Sequence, residues 1–161
     1  MLRKCAAAVL FLSLSGCSGY KPLYGTASGT VAADISALAV EEQHTRAGQI
    51  IRNELLDGVK PGAARYNLKL VVTEKLIDVA TLSSRLGSRR RVALSVHYDL
   101  IDTNGVKSLT SGDSFSNVEF DTINQPVADL QAAEDAKRRA GKELGQDIRL
   151  RIAAFLSTPR T

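Results

Sequence analysis

The sequence predicts an α+β fold: a two-layer sandwich in which a four-stranded, mostly antiparallel sheet carries two helices on one face, in the order β-α-β-β-β-α. Three observations carry this. Residues 65–79 and 91–101 alternate apolar and polar side chains with the period of two that half-buries a strand. Residues 46–57 and 126–156 repeat apolar side chains every three or four positions, the period of a helix with one buried stripe. Neither kind of stripe is satisfied alone, and helices laid across one face of the sheet bury both.

The elements follow in order. Residues 34–41 alternate loosely, with Ile35, Ala37 and Ala39 set against Ser36, Leu38 and Val40, and read as a first strand. Thr45 suits a helix N-cap, since its hydroxyl can accept from a free backbone N–H of the first turn. Ala47, Ile50, Ile51, Leu55 and Leu56 then have helical spacing, and Gly58 ahead of Pro61 is a stop. Tyr66, Leu68, Leu70 and Val72 share one face of the second strand, opposite Asn67 and Lys69. In the third, Val92, Leu94, Val96, Tyr98 and Leu100 oppose Ala93, Ser95, His97 and Asp99. Asp102-Thr103-Asn104-Gly105 is a tight-turn signal leading to a fourth strand within 106–120, where Gly112 suggests a bulge or weakened pairing. Pro126 suits the first turn of the last helix, because its missing N–H has no partner there in any case. Val127, Leu130, Ala133, Ala136, Ala140, Leu144, Ile148, Ile152 and Phe155 form its stripe, with Glu134/Arg138 and Asp135/Arg139 as i,i+4 pairs, and the helix ends near Leu156, before Pro159.

Composition limits the function classes. The chain has 161 residues, 44% of them hydrophobic and 24% charged, as in an ordinary globular domain. Aromatic residues are 5% and Trp is absent, which speaks against a stacking platform for bases or sugars. Two Cys and two His are too few for a structural zinc site or a disulfide scaffold.

The first 16 residues read as a targeting segment and stand apart from the fold. Arg3 and Lys4 form a positive start, Cys5 to Leu14 an apolar run, and Ser15-Gly16 a small-residue site before Cys17. A run of that length is too short to span a bilayer, which takes about 20 apolar residues. Leu14-Ser15-Gly16-Cys17 resembles a bacterial lipobox, in which the thiol receives a diacylglyceryl group; an ordinary signal peptide with an incidental Cys is the plainer alternative. Removal of Arg3 and Lys4 leaves 19 cations against 17 acids, so the mature chain is mildly basic. Residues 17–30 then form a lipidated tether rich in Gly and Ser, and 31–161 one domain. Ser18 follows the Cys where Asp would signal inner-membrane retention, and by resemblance to Gram-negative lipoproteins this favours the outer membrane.

No enzyme signature is present. Ser95, His97 and Asp99 lie two apart along one pleat, whereas a catalytic triad needs a hydrogen-bonded order and an exposed nucleophile turn. His44, beside Glu41, Glu42 and Gln43, reads as a solvated helix entry, not a metal site. The feature with chemical content is basic: Arg85, Arg89, Arg90 and Arg91 fall at the junction of the second and third strands. Guanidinium forks pair bidentately with phosphate, so the cluster is a candidate site for a phosphorylated ligand; the bland alternative is a solvated loop whose charges deter edge pairing. Nucleic acid is disfavoured, since no aromatics interleave the arginines and a lipid-anchored envelope protein does not normally meet it.

The lipobox, followed by Gly-Tyr-Lys-Pro-Leu-Tyr-Gly at 19–25, resembles the start of the LPS-assembly lipoprotein family of LptE type, in its alphaproteobacterial-like branch. The order of the remaining elements matches that family in pattern. The resemblance implies an outer-membrane lipoprotein, and with no enzyme signature in the residues neither catalytic activity nor a cofactor is expected. It implies a heterodimer with the LPS-assembly outer-membrane β-barrel, which the lipoprotein plugs and helps assemble, and binding of lipopolysaccharide during its insertion into the outer leaflet. A purely structural or envelope-maintenance role is the alternative. The arginine cluster is a candidate lipopolysaccharide contact on its chemistry alone.

Overall fold

The structure, a computed structural model, describes residues 35–57, 59, 64–81, 88–104 and 107–158. The signal segment 1–16, Cys17, the tether 17–30, Arg85 and the stop residues Gly58, Pro61 and Pro159 lie outside the described residues. The elements run β1 (Leu38–Val40), α1 (Arg46–Leu56), β2 (Tyr66–Thr81), β3 (Ser88–Asp102), β4 (Ser108–Thr122) and α2 (Pro126–Ser157). The expected α+β order holds. The strands form one sheet in the order β1-β2-β3-β4, with β1 parallel to β2 and the other pairs antiparallel.

The first strand is shorter than its sequence pattern. Only Leu38–Val40 pairs with β2, while Ile35 and Ser36 are helical. Ile35 packs with Ala153 beneath the end of α2, and that contact takes it out of the sheet. The next helix starts as Thr45 requires: its hydroxyl accepts from the Gly48 N–H at 3.1 Å. Ile51 and Leu55 are fully buried, and side chains of this size contribute about 1.5–3 kcal/mol each on burial.

In β3, Val92, Leu94, Val96, Tyr98 and Leu100 are buried beneath the helices, as their alternation requires. Gly112 corrects the expectation of a bulge. It sits opposite Tyr98 in regular register, and the irregularity falls at Leu100/Ile101. A Cβ at Gly112 would come within 2.7 Å of the Tyr98 hydroxyl, so the glycine makes room for a buried tyrosine. At the turn, Asp102 accepts from the Asn104 N–H at 2.9 Å.

The last helix lies over β3 and β4 and packs along α1. Its 32 residues span about 48 Å. Pro126 stands in its first turn, and the Asp129 carboxylate accepts from the Ile123 N–H at 2.8 Å. The buried stripe begins later than the sequence pattern, at Ala136, and runs through Ala140, Leu144, Ile148 and Ile152. Val127 and Leu130 are exposed, at 72% and 64%. Of the two expected outer-face pairs, Asp135/Arg139 forms and Glu134/Arg138 does not. Arg138 and Arg139 both reach Asp135, while Glu134 is taken by Lys137, which also bonds Glu74 of β2. Lys137 is the least exposed of these cations, and its two carboxylate partners outweigh burial and hold its ammonium above the ordinary lysine range. No helix among the described residues is long and apolar enough to cross a membrane.

Candidate functional site

Three of the four arginines are strand residues. Arg89, Arg90 and Arg91 belong to β3, which starts at Ser88, earlier than the alternation at 91–101 suggests. The apolar pattern that marks a half-buried strand is missing there because Ser88 and Arg90 hold the helix-facing positions, with Phe120 and Thr122 of β4 buried beside them and Leu76 of β2 exposed. The alternation that buries Val92 puts Arg90 on the helix-bearing face and Arg89 and Arg91 on the open face.

Each of the three has a carboxylate partner across the sheet. Arg89 Nε donates to Asp121 at 2.9 Å, Arg90 Nε to Asp78 at 2.7 Å, and Arg91 to Glu119 at 2.6 Å through Nη2. The register explains this, because Asp78, Glu119 and Asp121 are the cross-strand neighbours of Arg90, Arg91 and Arg89. The hydrogen bond from Arg89 holds the Asp121 carboxyl below its ordinary range, and Asp121 in turn raises Arg89. Three cations against three carboxylates leave this patch electrically balanced. A guanidinium has five N–H donors, so one or two bonds to a carboxylate leave others free to meet an anion.

The other residues singled out in the sequence do not converge. His97 Nδ1 lies 2.9 Å from Asp113 of β4, Asp99 accepts from the Ser108 hydroxyl, and Ser95 stands opposite Phe115. Glu41, Glu42 and His44 are exposed, and Gln43 donates to the Leu70 carbonyl at 3.4 Å.

A second site was not legible in the sequence. Between β4 and α2 lies an open groove of about 250 Å³, lined by Ser114, Phe115, Glu143, Leu144, Asp147 and Arg151. Ser114 and Ser116 are buried and donate at 2.6 Å to Asp147 and Glu143. Burial alone would raise Asp147, but the bonds from Ser114 and Arg151 outweigh it and hold the carboxyl below its ordinary range. The signal available was Ser114-x-Ser116 on the helix-facing register of a strand, facing Glu143 and Asp147 one helical turn apart.

With this geometry in hand, solved structures give matches, while no family model and no curated protein does. A crystal structure of a candidate lipoprotein from Caulobacter crescentus CB15 superposes with a TM-score of 0.68 at 24% identity, covering 81% of this chain and 98% of that one. The chain shares a fold with bacterial lipoproteins. The minor lipoprotein of Acinetobacter baumannii matches with a TM-score of 0.54 at 17% identity, over 73% of this chain and 88% of that one. Rare lipoprotein B from Shewanella oneidensis matches at 0.55 and 13%, over 73% and 92%. At these identities the likeness is one of backbone architecture.

Proposed function

We propose that this chain is an outer-membrane lipoprotein, anchored through Cys17, that plugs and helps assemble a lipopolysaccharide-transport β-barrel and binds lipopolysaccharide during its insertion. The observation that carries the reading is a conjunction. The fold shared with bacterial lipoproteins belongs to a chain that opens on Leu14-Ser15-Gly16-Cys17 and Gly-Tyr-Lys-Pro-Leu-Tyr-Gly. The role is one of binding and not of catalysis. Two or more acyl chains anchor stably where one gives marginal attachment, so the lipidated Cys would hold the folded body at the membrane.

Arg85, Arg89, Arg90 and Arg91 remain the candidate contact for lipid phosphates. The free N–H groups of Arg89, Arg90 and Arg91 would donate to the phosphate while Asp121, Asp78 and Glu119 fix their guanidinium planes. The same ion pairs favour a second reading, a structural or envelope-maintenance lipoprotein whose arginines stitch the end of the sheet. Isolation of the full-length protein from solubilised outer membrane separates the two. A barrel that stays bound through mild detergent and heat is expected, and its absence overturns the plug. Replacement of Arg89, Arg90 and Arg91 together by Ala is expected to weaken lipopolysaccharide binding at low salt, with a smaller loss at high salt where screening already weakens the native contact. Unchanged affinity in a folded triple variant returns the arginines to the stitching role.

A further inference from the structure

The two edges of the sheet are treated differently. On one side β1 covers the start of β2, with the Glu41 N–H donating to the Leu68 carbonyl and the Gln43 side chain to that of Leu70. The rest of that edge carries Glu74, Lys75 and Asp78 and a register break between Asp78 and Ala80. Charges and bulges of this kind blunt an edge against added strands. The other edge is β4, 15 residues long, with no strand beyond it among the described residues. Its charges are three acids, Asp113, Glu119 and Asp121, with no Lys, Arg or Pro, and its register is unbroken from Thr110 to Thr122.

Its outward groups can be assigned. The Leu68 carbonyl accepts from Glu41 on the β1 side and Thr103 N–H donates to the Arg65 carbonyl, so odd-numbered β3 residues bond β2 and even-numbered ones bond β4; Arg151 donates to the Asp113 carbonyl at 3.2 Å, in keeping with an outward carbonyl there. At the other end the Thr122 hydroxyl bonds both the N–H and the carbonyl of Ser88, which places the even-numbered pairs on the ladder. In an antiparallel strand the two sets alternate. Phe115, Asn117, Glu119 and Asp121 therefore turn their backbone N–H and C=O groups outward. Phe115 is also 76% exposed.

We propose that β4 accepts an added strand from another polypeptide, an extended segment carrying Lys or Arg on the side that faces α2. Charge selects this occupant. The groove beside the edge presents Glu143 and Asp147, and while Asp147 is matched by Arg151, Glu143 has only the Ser116 hydroxyl among the described residues. A basic side chain of the incoming strand reaches Glu143. A second copy of this chain is a poor occupant, because every charge on β4 is acidic and antiparallel self-pairing sets Asp113, Glu119 and Asp121 against one another. The inference does not depend on the barrel reading.

The test uses the full-length protein in detergent micelles and two acetylated ten-residue peptides, one alternating Val or Thr with Lys and one with Glu in place of Lys. The Lys peptide is expected to bind at least tenfold more tightly and to slow hydrogen exchange at the amides of residues 115, 117, 119 and 121. Asn117→Pro removes one outward donor without touching the ladder and is expected to lower that affinity at least tenfold. If that variant fails to fold, Glu143→Lys on the exposed groove wall serves, with the same expected loss. Equal binding of the two peptides, or binding without protection of those amides, overturns the proposal. So does protection before any peptide is added, which would mean that the chain covers its own edge. A concentration-dependent disulfide between Asn117→Cys chains would name the second copy as occupant and overturn it as well.

Discussion

The two ends of the sheet are built from the same three strands and held by different forces. At one end, Leu68, Leu100, Leu94 and Val96 lie under Ile51, Leu144 and Ile148, all essentially without solvent contact. At the other, β2 and β3 run on past the helix cover, Leu76, Ile77 and Val79 are exposed, and Arg89, Arg90 and Arg91 are matched to acids across the rungs. A β-ladder thus continues beyond its hydrophobic layer when cross-strand pairs replace burial, but the replacement is weak. Exposed ion pairs contribute about 0–1 kcal/mol each, whereas one buried aliphatic side chain contributes about 1.5–3 kcal/mol. Stability is therefore expected to concentrate at the covered end, with the β2 side of the arginine end opening first.

Substitutions can break or sharpen that contrast. The largest effect is expected of Ile148→Asp, which sets an unpaired charge among fully buried neighbours; a loss of about 4 kcal/mol or more in denaturant unfolding is expected. An unchanged midpoint would mean that the covered end is not the stable one. Gly145→Val comes next. A Cβ there would stand 2.7 Å from Glu54 Cβ and 3.2 Å from the Ile51 carbonyl, so α1 must move away from α2. Overpacking costs about 1–3 kcal/mol, and roughly 0.5 kcal/mol returns through better helix propensity. A stabilised variant in thermal unfolding would show that the two helices do not touch as closely as this.

Acid provides a third probe. The Asp147 carboxyl is lower in the folded chain than its ordinary value of 3.8, so its contribution is present above that value and fades as pH falls through the lower, folded one. Asp147→Asn is expected to flatten the acid limb of the stability profile, and an unaltered limb would assign it to other carboxylates. The smallest effect belongs to the uncovered end. Arg91→Ala is expected to cost under about 1 kcal/mol globally, while amide exchange at Ser88–Arg90 quickens. A global loss like that of Ile148→Asp would erase the distinction between the ends.

The covered end was legible in the sequence because burial imposes periodicity. The β3 alternation and the stripe from Ala136 to Ile152 both follow from it. The uncovered end was not. Val127 and Leu130 keep the helical period without burial, and Arg89–Arg91 lack the strand period although they are strand. Neither a solvent-facing apolar residue nor a cross-strand ion pair leaves a mark in one-dimensional spacing. Gly141 and Gly145 were passed over for a related reason. They serve α1, a partner distant in the chain, and their role appears only when the Ile50 and Glu54 side chains are seen against them. Of the candidate site, the arginines were legible as a cluster at the junction of two strands but Arg89 and Arg90 not as strand residues, and the Glu143 groove needed the strand register to be seen at all.

The contacts between α1 and α2 have a consequence for the order of assembly. Gln146 bonds Glu54, and Arg149 bonds the Asp57 carbonyl, each across 92 positions of chain. The layer that covers β3, β4 and the first helix is thus supplied largely by the last quarter of the sequence. Until that part has been made, the apolar face over β3 and β4 lacks its main cover, and closing so long a loop is slow. A chain emerging in N-to-C direction therefore stays open almost to its end, the condition in which a polypeptide can still be threaded through a narrow pore.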